Sequence, residues 1–205
     1  MVQISTKPET GTLSIELPRD IALHVTQEQF AALAAVNPEL RIERTAQGEL
    51  TVNPPTGWET GERNYSLTGQ IYLWHEGNRE LGKAFDSSTG FTLPNGAIRS
   101  PDACWISRQR WDALTLEQKG TFPNICPDFV VELRSNSDTL KSLQQKMKEY
   151  LDNGAKLGWL LNPQQRQVEI YRLGKEVEVL ENPVELSGEE VLPGFVLDLS
   201  RIWEV

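Results

Sequence analysis

In the stretch Pro127-Asp128-Phe129-Val130-Val131-Glu132-Leu133-Arg134, residues 129–133 form a near-continuous apolar run that a single acid, Glu132, interrupts. Such a run is typical of an interior β-strand that is buried on both faces. A carboxylate inside a buried strand costs several kcal/mol unless it is paired or bound to a metal ion. Glu132 is therefore the first candidate for a functional residue, and the structural alternative is an ion pair with Arg134 or another basic side chain.

A second acid, Asp102, ends the segment Arg99-Ser100-Pro101-Asp102 and directly precedes a predicted strand over residues 103–106. Taken alone, an aspartate after a proline is often a turn residue. Two carboxylates that converge from adjacent strands, however, form the hard oxygen-ligand site that Mg²⁺ prefers. We therefore expect the two strands to be neighbours in one mixed sheet, with Asp102 and Glu132 on the same face.

An amine follows on the next predicted helix, which runs to residue 153. At about 100° per residue, Leu143, Met147 and Tyr150 share one face of this helix, and Lys146 lies roughly 60° from Leu143 on its flank. A flanking lysine either extends along the edge of the core or reaches a site at the end of the adjacent strand. The sequence leaves both alternatives open.

The rest of the chain alternates between strand and helix patterns, as expected for one mixed α/β domain. We predict an extended arm over residues 1–22 and a single domain over residues 23–205. Four helices are predicted. One covers residues 60–75, and the other three begin after an N-cap residue, which is Thr26, Ser107, and either Ser137 or Asp138. The predicted strands cover residues 40–44, 48–52, 83–87, 90–93, 103–106, 129–133, 157–161, 167–172, 176–180 and 195–199.

Composition limits the classes of function. The chain has 205 residues, of which 39% are hydrophobic, and this fits one domain with its own core. No window approaches the roughly 18 apolar residues that a membrane span needs, so we expect a cytoplasmic protein without membrane contact. The formal net charge of −9 argues against broad, non-specific adhesion to nucleic acid but is compatible with a localised basic groove.

The cysteines and histidines suggest no other chemistry. Cys104 and Cys126 lie in apolar surroundings without metal-ligand spacing, which is typical of two buried thiols. His24 and His75 are far apart in sequence and belong to no recognisable metal or triad pattern. Catalysis by this chain must therefore use carboxylates and amines.

At the residues quoted above, the sequence resembles the restriction-endonuclease superfamily, whose signature is Pro-Asp, a variable interval and then Asp/Glu-x-Lys. It resembles the Uma-two branch of that superfamily more closely, from about Leu23 to Trp203. The matching segments are Arg99-Ser100-Pro101-Asp102, residues 127–135, Lys146-Met147-Lys148-Glu149-Tyr150, Gly154 through Trp159 to Pro163, Pro54-Pro55 and Thr60-Gly61-Glu62-Arg63-Asn64. The ordered set is specific for the family, whereas a lone Pro-Asp with Glu-x-Arg is not.

The resemblance implies a fold and a metal site. The fold is an α/β (α+β) restriction-endonuclease-like core, with a mixed central β-sheet flanked by helices, an N-terminal extension and C-terminal β-hairpins. The implied metal ligands are Asp102 and Glu132, which bind Mg²⁺ or Mn²⁺. The superfamily also uses an acid from an early helix, and Glu62 is the expected match, which would bind the metal ion directly or through water, with Glu59 as the alternative.

One position departs from the superfamily signature, because Arg134 stands where the signature has lysine. In the Uma-two branch the lysine role has moved to the following helix, where this sequence has Lys146. The resemblance therefore implies that Lys146 positions the attacking water or helps to deprotonate it. Arg134 becomes a phosphate contact or an ion-pair partner, because a guanidinium stays protonated and cannot act as a base.

The function that these features predict is metal-dependent hydrolysis of phosphodiester bonds in DNA. A first alternative is a non-catalytic binding or assembly module with the same fold. A second is an interaction protein whose six tryptophans fill the core or a contact within a homodimer. A third is a metal-dependent hydrolase of a smaller phosphate ester, which would share the site and differ only in the groove.

Overall fold

The computed structural model describes residues 22–205, so the extended arm predicted for residues 1–22 lies almost entirely outside the described residues. In chain order the elements are α1 (Gln27–Val36), β1 (Arg41–Arg44), β2 (Leu50–Asn53), α2 (Trp58–Glu76), β3 (Gly82–Asp86), β4 (Phe91–Thr92), β5 (Ile98–Arg99), β6 (Ala103–Ser107), α3 (Arg108–Asp112), β7 (Phe129–Leu133), α4 (Leu140–Asp152), β8 (Leu157–Asn162), β9 (Gln167–Arg172), β10 (Glu178–Glu181), β11 (Glu185–Ser187), β12 (Val196–Asp198) and α5 (Ser200–Trp203).

The centre of the fold is a six-stranded mixed sheet with the strand order β10-β9-β8-β7-β6-β3. Only β7 and β8 run parallel, with Val131 opposite Trp159, and α4 forms the crossover between them. Every residue of β7 is buried, which confirms the interior strand expected from its apolar run. The mixed central sheet flanked by helices confirms the predicted fold class.

Two apolar layers cover the two faces of this sheet. On one face, Phe129 and Val131 of β7 pack in a cluster with Leu67 of α2 and the C-terminal residues. On the other face, Val130 packs in a cluster with Met147 of α4. Glu132 alternates with Val131 along β7, so its side chain lies on the α4 face.

One glycine allows α4 to lie close to the central sheet. A Cβ atom at Gly158 of β8 would stand 2.4 Å from Met147 Cε and 3.3 Å from Val130 Cγ2. Real Cβ atoms do not approach other atoms this closely, because protein interiors are already close-packed. The missing side chain at position 158 therefore leaves room for the end of the Met147 side chain between α4 and β8, next to the strand that carries Glu132.

A second, four-stranded sheet with the order β2-β1-β5-β4 completes the fold on the α4 side. Its β1–β2 hairpin pairs Ile42 with Val52 and confirms the hairpin predicted over residues 40–52. The antiparallel pairs β9–β10 and β11–β12 are the expected C-terminal hairpins. The predicted N-cap of α4 was wrong, because Thr139 accepts the hydrogen bond from Ser142 N whereas Asp138 accepts from Ser135 N and Oγ.

Candidate active site

The pairing of β6 with β7 brings Asp102 and Glu132 to the same cavity. The strands are antiparallel neighbours with Ala103 opposite Val131, so Asp102, which directly precedes β6, lies opposite Glu132. The backbone N–H of Leu133 donates a hydrogen bond of 2.8 Å to Asp102 Oδ2 and fixes this carboxylate. Both acids line one cavity, as expected from their positions at the start of one strand and within the other.

Lys146 reaches this cavity from α4 rather than extending along the core edge. Its Nζ lies 2.9 Å from Glu132 Oε1 and 2.9 Å from Glu43 Oε1. One helical turn further on, the Tyr150 hydroxyl donates a hydrogen bond of 3.0 Å to Glu132 Oε1. The partner of the buried Glu132 carboxylate is therefore Lys146, and Arg134 makes no ion pair with it.

Glu43 of β1 is a member of the cluster that the sequence did not reveal. Its side chain is buried, and its Oε1 accepts hydrogen bonds from Lys146 Nζ and from the backbone N–H of Ser100 at 2.9 Å each. Arg99 approaches its Oε2 at 3.3 Å and also binds Glu149 at 2.6 Å. In the sequence, Glu43 lies between Ile42 and Arg44 in a short hairpin, and strand alternation places it on the same face as the charged Arg41, which is the pattern of a solvated side chain. The structure instead makes Glu43 the only buried residue of β1, so no local signal in the sequence identified it.

Three residues named from the resemblance do not join the cluster. Glu62 is exposed on α2 and, like Glu59, is not among the residues that line the cavity, whereas Thr60 of the same helix is. The Arg134 guanidinium donates to Asn162 Oδ1 and to the Asp138 carbonyl, each at 3.3 Å, and also lies outside the cavity lining. The chain leaves β7 after Leu133, so Arg134 no longer follows the strand alternation that Glu132 obeys.

Burial and neighbouring charge perturb the acids of the cluster in different directions. Burial, reinforced by the negative charges of Asp102 and Glu43, raises the pKa of Glu132 to about 8 although Lys146 opposes this. Burial also raises the pKa of Asp102, against the hydrogen bond from Leu133 N–H. Burial acts in the same sense on Glu43, but Lys146 and Arg99 together outweigh it and lower the pKa of this carboxyl.

The lysine is held in its charged form. Burial alone would lower the pKa of Lys146, but the carboxylates of Glu132 and Glu43 outweigh burial and raise it. An ammonium with a raised pKa keeps its proton at neutral pH. In this arrangement Lys146 is a hydrogen-bond donor and a positive charge, and it does not have the free electron pair that a general base needs.

The cluster carries more negative than positive charge. It holds four carboxylates and two cationic side chains, namely Glu43, Asp102, Glu132, Glu149, Lys146 and Arg99. Buried charges require compensation by an opposite charge, a proton or a metal ion. The negative charges of Asp102 and Glu132 are the least compensated in the cluster, because the pKa values of both carboxyl groups are raised.

These two carboxylates fit a hard divalent cation by their chemistry. Oxygen ligands from one or two carboxylates, completed by water and phosphate, are the usual surroundings of Mg²⁺ in proteins. Within residues 22–205, no three histidine, cysteine, aspartate or glutamate side chains are grouped so as to hold a metal ion. The Lys146 ammonium stands between Glu43 and Glu132 and keeps the third acid on its own side. Asp102 and Glu132 are therefore the pair of carboxylates that could hold such an ion.

The cavity above the cluster has a volume of about 1010 Å³ and is lined by α1, the β1–β2 hairpin, the first turns of α2 and residues 142–149 of α4. Hydroxyl and amide side chains provide most of its polar lining, as with Thr51, Asn64 and Ser142. Among the cations that line it within residues 22–205, Arg41 alone has no carboxylate partner, and it donates a 2.5 Å hydrogen bond to Ser87 Oγ.

Two acids on neighbouring strands and a lysine from the crossover helix, on a mixed sheet flanked by helices, define a nuclease-like α+β protein. The chain belongs to the Uma2 family, whose sequence model is described as "Putative restriction endonuclease" and matches residues 27–200. This confirms the family that the sequence motifs resemble.

A solved structure supports the same fold. The chain is similar to a protein described as "a putative nuclease belonging to DUF820 from Anabaena variabilis ATCC 29413", with a TM-score of 0.72 and 20% sequence identity. The match covers 88% of this chain and 98% of that chain. No curated protein matches the chain. In the part of the chain that the structure describes, no helix has both the length and the apolar character needed to cross a bilayer.

Proposed function

We propose that this protein is a metal-dependent nuclease that hydrolyses phosphodiester bonds of DNA. One observation carries the proposal: Asp102 and Glu132 face one cavity from neighbouring strands, beside a charged Lys146, and their cluster lacks positive charge. The membership in a family of restriction-endonuclease type supports the same reaction class. The site rather than the fold decides the chemistry.

Asp102 and Glu132 are the proposed ligands of Mg²⁺ or Mn²⁺. A bound ion of this kind supplies a Lewis acid for the phosphate and lowers the pKa of water. Tyr150 holds Glu132 through its hydroxyl, and the N–H of Leu133 holds Asp102, so both carboxylates keep their orientation without a flexible partner. Fixed donors and acceptors of this kind avoid reorganisation during the reaction.

Lys146 donates hydrogen bonds to the attacking water or to a phosphate oxygen. Its raised pKa makes it an electrostatic group rather than the base that accepts the proton of water. Glu43 is a positioning residue, because its Oε1 contacts the ammonium at 2.9 Å and is itself fixed by Ser100 N–H. In this proposal the third acid of the site is therefore Glu43 rather than Glu62.

DNA is the proposed substrate, bound through few phosphates. The chain has a net charge of −9. Among the cationic side chains that line the cavity within residues 22–205, Arg41 is the one without a carboxylate partner. Binding should therefore depend only weakly on salt, since the slope follows the number of phosphates neutralised. Cutting both strands of a duplex requires two sites in opposite orientation, which a homodimer with two-fold symmetry supplies.

The experiment is incubation of the protein with supercoiled, linear and single-stranded DNA and with RNA, each with Mg²⁺, Mn²⁺ or chelator. We expect metal-dependent cleavage of DNA that Asp102→Asn and Glu132→Gln abolish. Glu62→Gln is the matched control, because this carboxylate is exposed and lies outside the cavity lining. Activity that persists in chelator, or that is lost equally in Glu62→Gln, contradicts the proposed site.

A second candidate is a non-catalytic binding module with the same fold. Two observations favour it. Within residues 22–205 no three histidine, cysteine, aspartate or glutamate side chains are grouped as metal ligands, and Lys146 is already paired with Glu43 and Glu132. Calorimetric titration with Mg²⁺ or Mn²⁺ separates the two candidates. A module without metal affinity gives no heat, whereas the nuclease gives a binding isotherm that Glu132→Gln removes. A hydrolase of smaller phosphate esters would bind metal but leave every nucleic acid intact.

A further inference from the structure

Helix α2 carries an apolar stripe that nothing in the described chain covers. Trp58, Tyr65 and Tyr72 are 72%, 83% and 56% exposed, and Leu73 beside them is 72% exposed. The opposite side of the same helix is buried through Leu67 and Ile71. Single exposed apolar residues are ordinary, but a continuous patch of large ones marks an interaction site.

The spacing of the stripe is that of a helix that packs on another helix. Trp58, Tyr65 and Tyr72 follow each other at intervals of seven residues, so they lie within about 20° of the Tyr65 direction. Gly61 and Gly69 flank Tyr65 at about 40° on either side. Seven-residue repeats of large residues with small residues between them allow knobs-into-holes contact.

Nothing within residues 22–205 explains the two glycines. A Cβ atom at Gly61 or at Gly69 would meet no other atom of these residues within 4 Å. Glycine in a helix interior costs about 1 kcal/mol relative to alanine. Their φ angles are not positive either, so no turn requires them. The groove that they leave on either side of Tyr65 is therefore not filled by the described part of the chain.

The stripe is symmetric about Tyr65 along the helix. Trp58 and Tyr72 stand seven residues before and after it, and Gly61 and Gly69 stand four residues before and after it. A two-fold axis through Tyr65 therefore places aromatic residue opposite aromatic residue and glycine opposite glycine. An isologous interface needs this self-complementarity, in which residue i contacts j and residue j contacts i.

We propose that α2 is the interface of a homodimer, in which two α2 helices pack antiparallel with a two-fold axis at Tyr65. Each Tyr65 ring then fits over the Gly61 and Gly69 positions of the other copy. Glu62 lies at the rim opposite Thr68 of the other copy, so no acid faces an acid across this contact. This explains the exposed position of Glu62 on α2.

The exposed aromatic rings supply a large part of the area that a dimer contact needs. Aromatic side chains present about 150–250 Å² each, so the exposed parts of the three rings offer roughly 300–500 Å² per protomer. A standard interface buries about 800 Å² per partner, so the rings provide about half of it. Leu73, which is 72% exposed on the same 19-residue helix, adds to this area. The proposal does not rest on the nuclease function, since oligomeric state is measured without substrate.

The first test is the mass of the full chain in solution by sedimentation, at protein concentrations of about 1 to 100 μM. We expect a dimer that Tyr65→Asp converts into a monomer, because two aspartates then meet at the axis. Leu116→Asp is the matched control, since Leu116 is 90% exposed and does not belong to α2, so its replacement should leave the dimer intact. A monomeric parent protein, or a dimer that tolerates Tyr65→Asp, overturns the proposal.

The second test determines the register. Tyr65→Cys should form a disulfide-linked dimer under mild oxidation, because residue 65 meets its own copy at the axis. Tyr72→Cys should not link to itself, because its two copies are separated by about 21 Å along the helices. The native Cys104 and Cys126 are buried and give no background. Efficient self-linking of Tyr72→Cys, or none of Tyr65→Cys, contradicts the antiparallel arrangement.

Discussion

Replacement of Lys146 by methionine gives the sharpest test of the proposed site. Methionine keeps the length of the aliphatic stem and removes the ammonium that lies 2.9 Å from both Glu43 and Glu132. If the ammonium orients water or stabilises phosphate charge, DNA cleavage should fall by roughly 10² or more. The affinity for Mg²⁺ should change little, because Asp102 and Glu132 remain.

The same variant should also lose stability, and the structure indicates how much. Removal of one partner from a buried ion pair costs about 3–5 kcal/mol when the other charge stays uncompensated. Here Glu132 can take up a proton, because its pKa is already raised to about 8, so the loss should lie at the lower end of that range. The double variant with Glu43→Gln removes a second orphaned charge and should recover stability without recovering cleavage.

The assay combines single-turnover cleavage, calorimetric Mg²⁺ titration and thermal unfolding on each variant. Lys148→Met is the matched control, because Lys148 is exposed two residues further along α4. The reasoning is refuted if Lys146→Met and Lys148→Met cleave like the parent protein. It is also refuted if both lose activity equally, since a general loss of positive charge would then explain the effect.

Three further predictions follow from individual contacts. Glu132→Gln should abolish metal binding in calorimetry and leave the melting temperature equal or higher. The pKa of Glu132 is raised to about 8 in the folded state, so its contribution to stability is present below its ordinary pKa near 4.5 and is lost as the pH rises towards 8. The free energy of unfolding of the variant should therefore depend less on pH over that interval. Arg41→Gln should weaken DNA binding about tenfold, measured by fluorescence anisotropy, through the loss of one charged hydrogen bond, whereas the exposed Arg79→Gln should not. Gly158→Ala should lower the free energy of unfolding by about 1–3 kcal/mol in denaturant titration, because the end of the buried Met147 side chain must move away from the new methyl group. An unchanged midpoint would mean that this flexible side chain moves aside without cost.

The sequence was sufficient for the parts of the site that follow from local pattern. The apolar run around Glu132 predicts a buried strand, and the predicted strand after Asp102 is expected to pair with it. This pairing puts Asp102 and Glu132 on the same face of the sheet, and the register of β6 and β7 agrees. The helix geometry that puts Lys146 on the flank of Leu143 leaves it within reach of Glu132, and the structure shows the contact.

The remaining residues depend on contacts between distant parts of the chain. Glu43 and Lys146 are 103 residues apart, so no local periodicity connects them. Glu62 was expected at the site from an early helical acid in the superfamily, but α2 turns its Thr60 face to the cavity and Glu62, two residues on, points away by about 200°. The sequence predicted that α2 exists, but the rotation of α2 about its own axis decides that Glu62 lies outside the cavity.

The contact between Lys146 and Glu43 has a mechanical consequence. Glu43 belongs to the small sheet, whereas Glu132 belongs to the central sheet, and one ammonium joins the two at 2.9 Å on each side. The β1–β2 hairpin that carries Glu43 also forms one wall of the cavity. A displacement of this hairpin that widens the cavity would lengthen the contact between Glu43 and Lys146, while the contact of Lys146 with Glu132 would remain. One ion pair thus couples the position of the cavity wall to the charge balance at the base of the cavity.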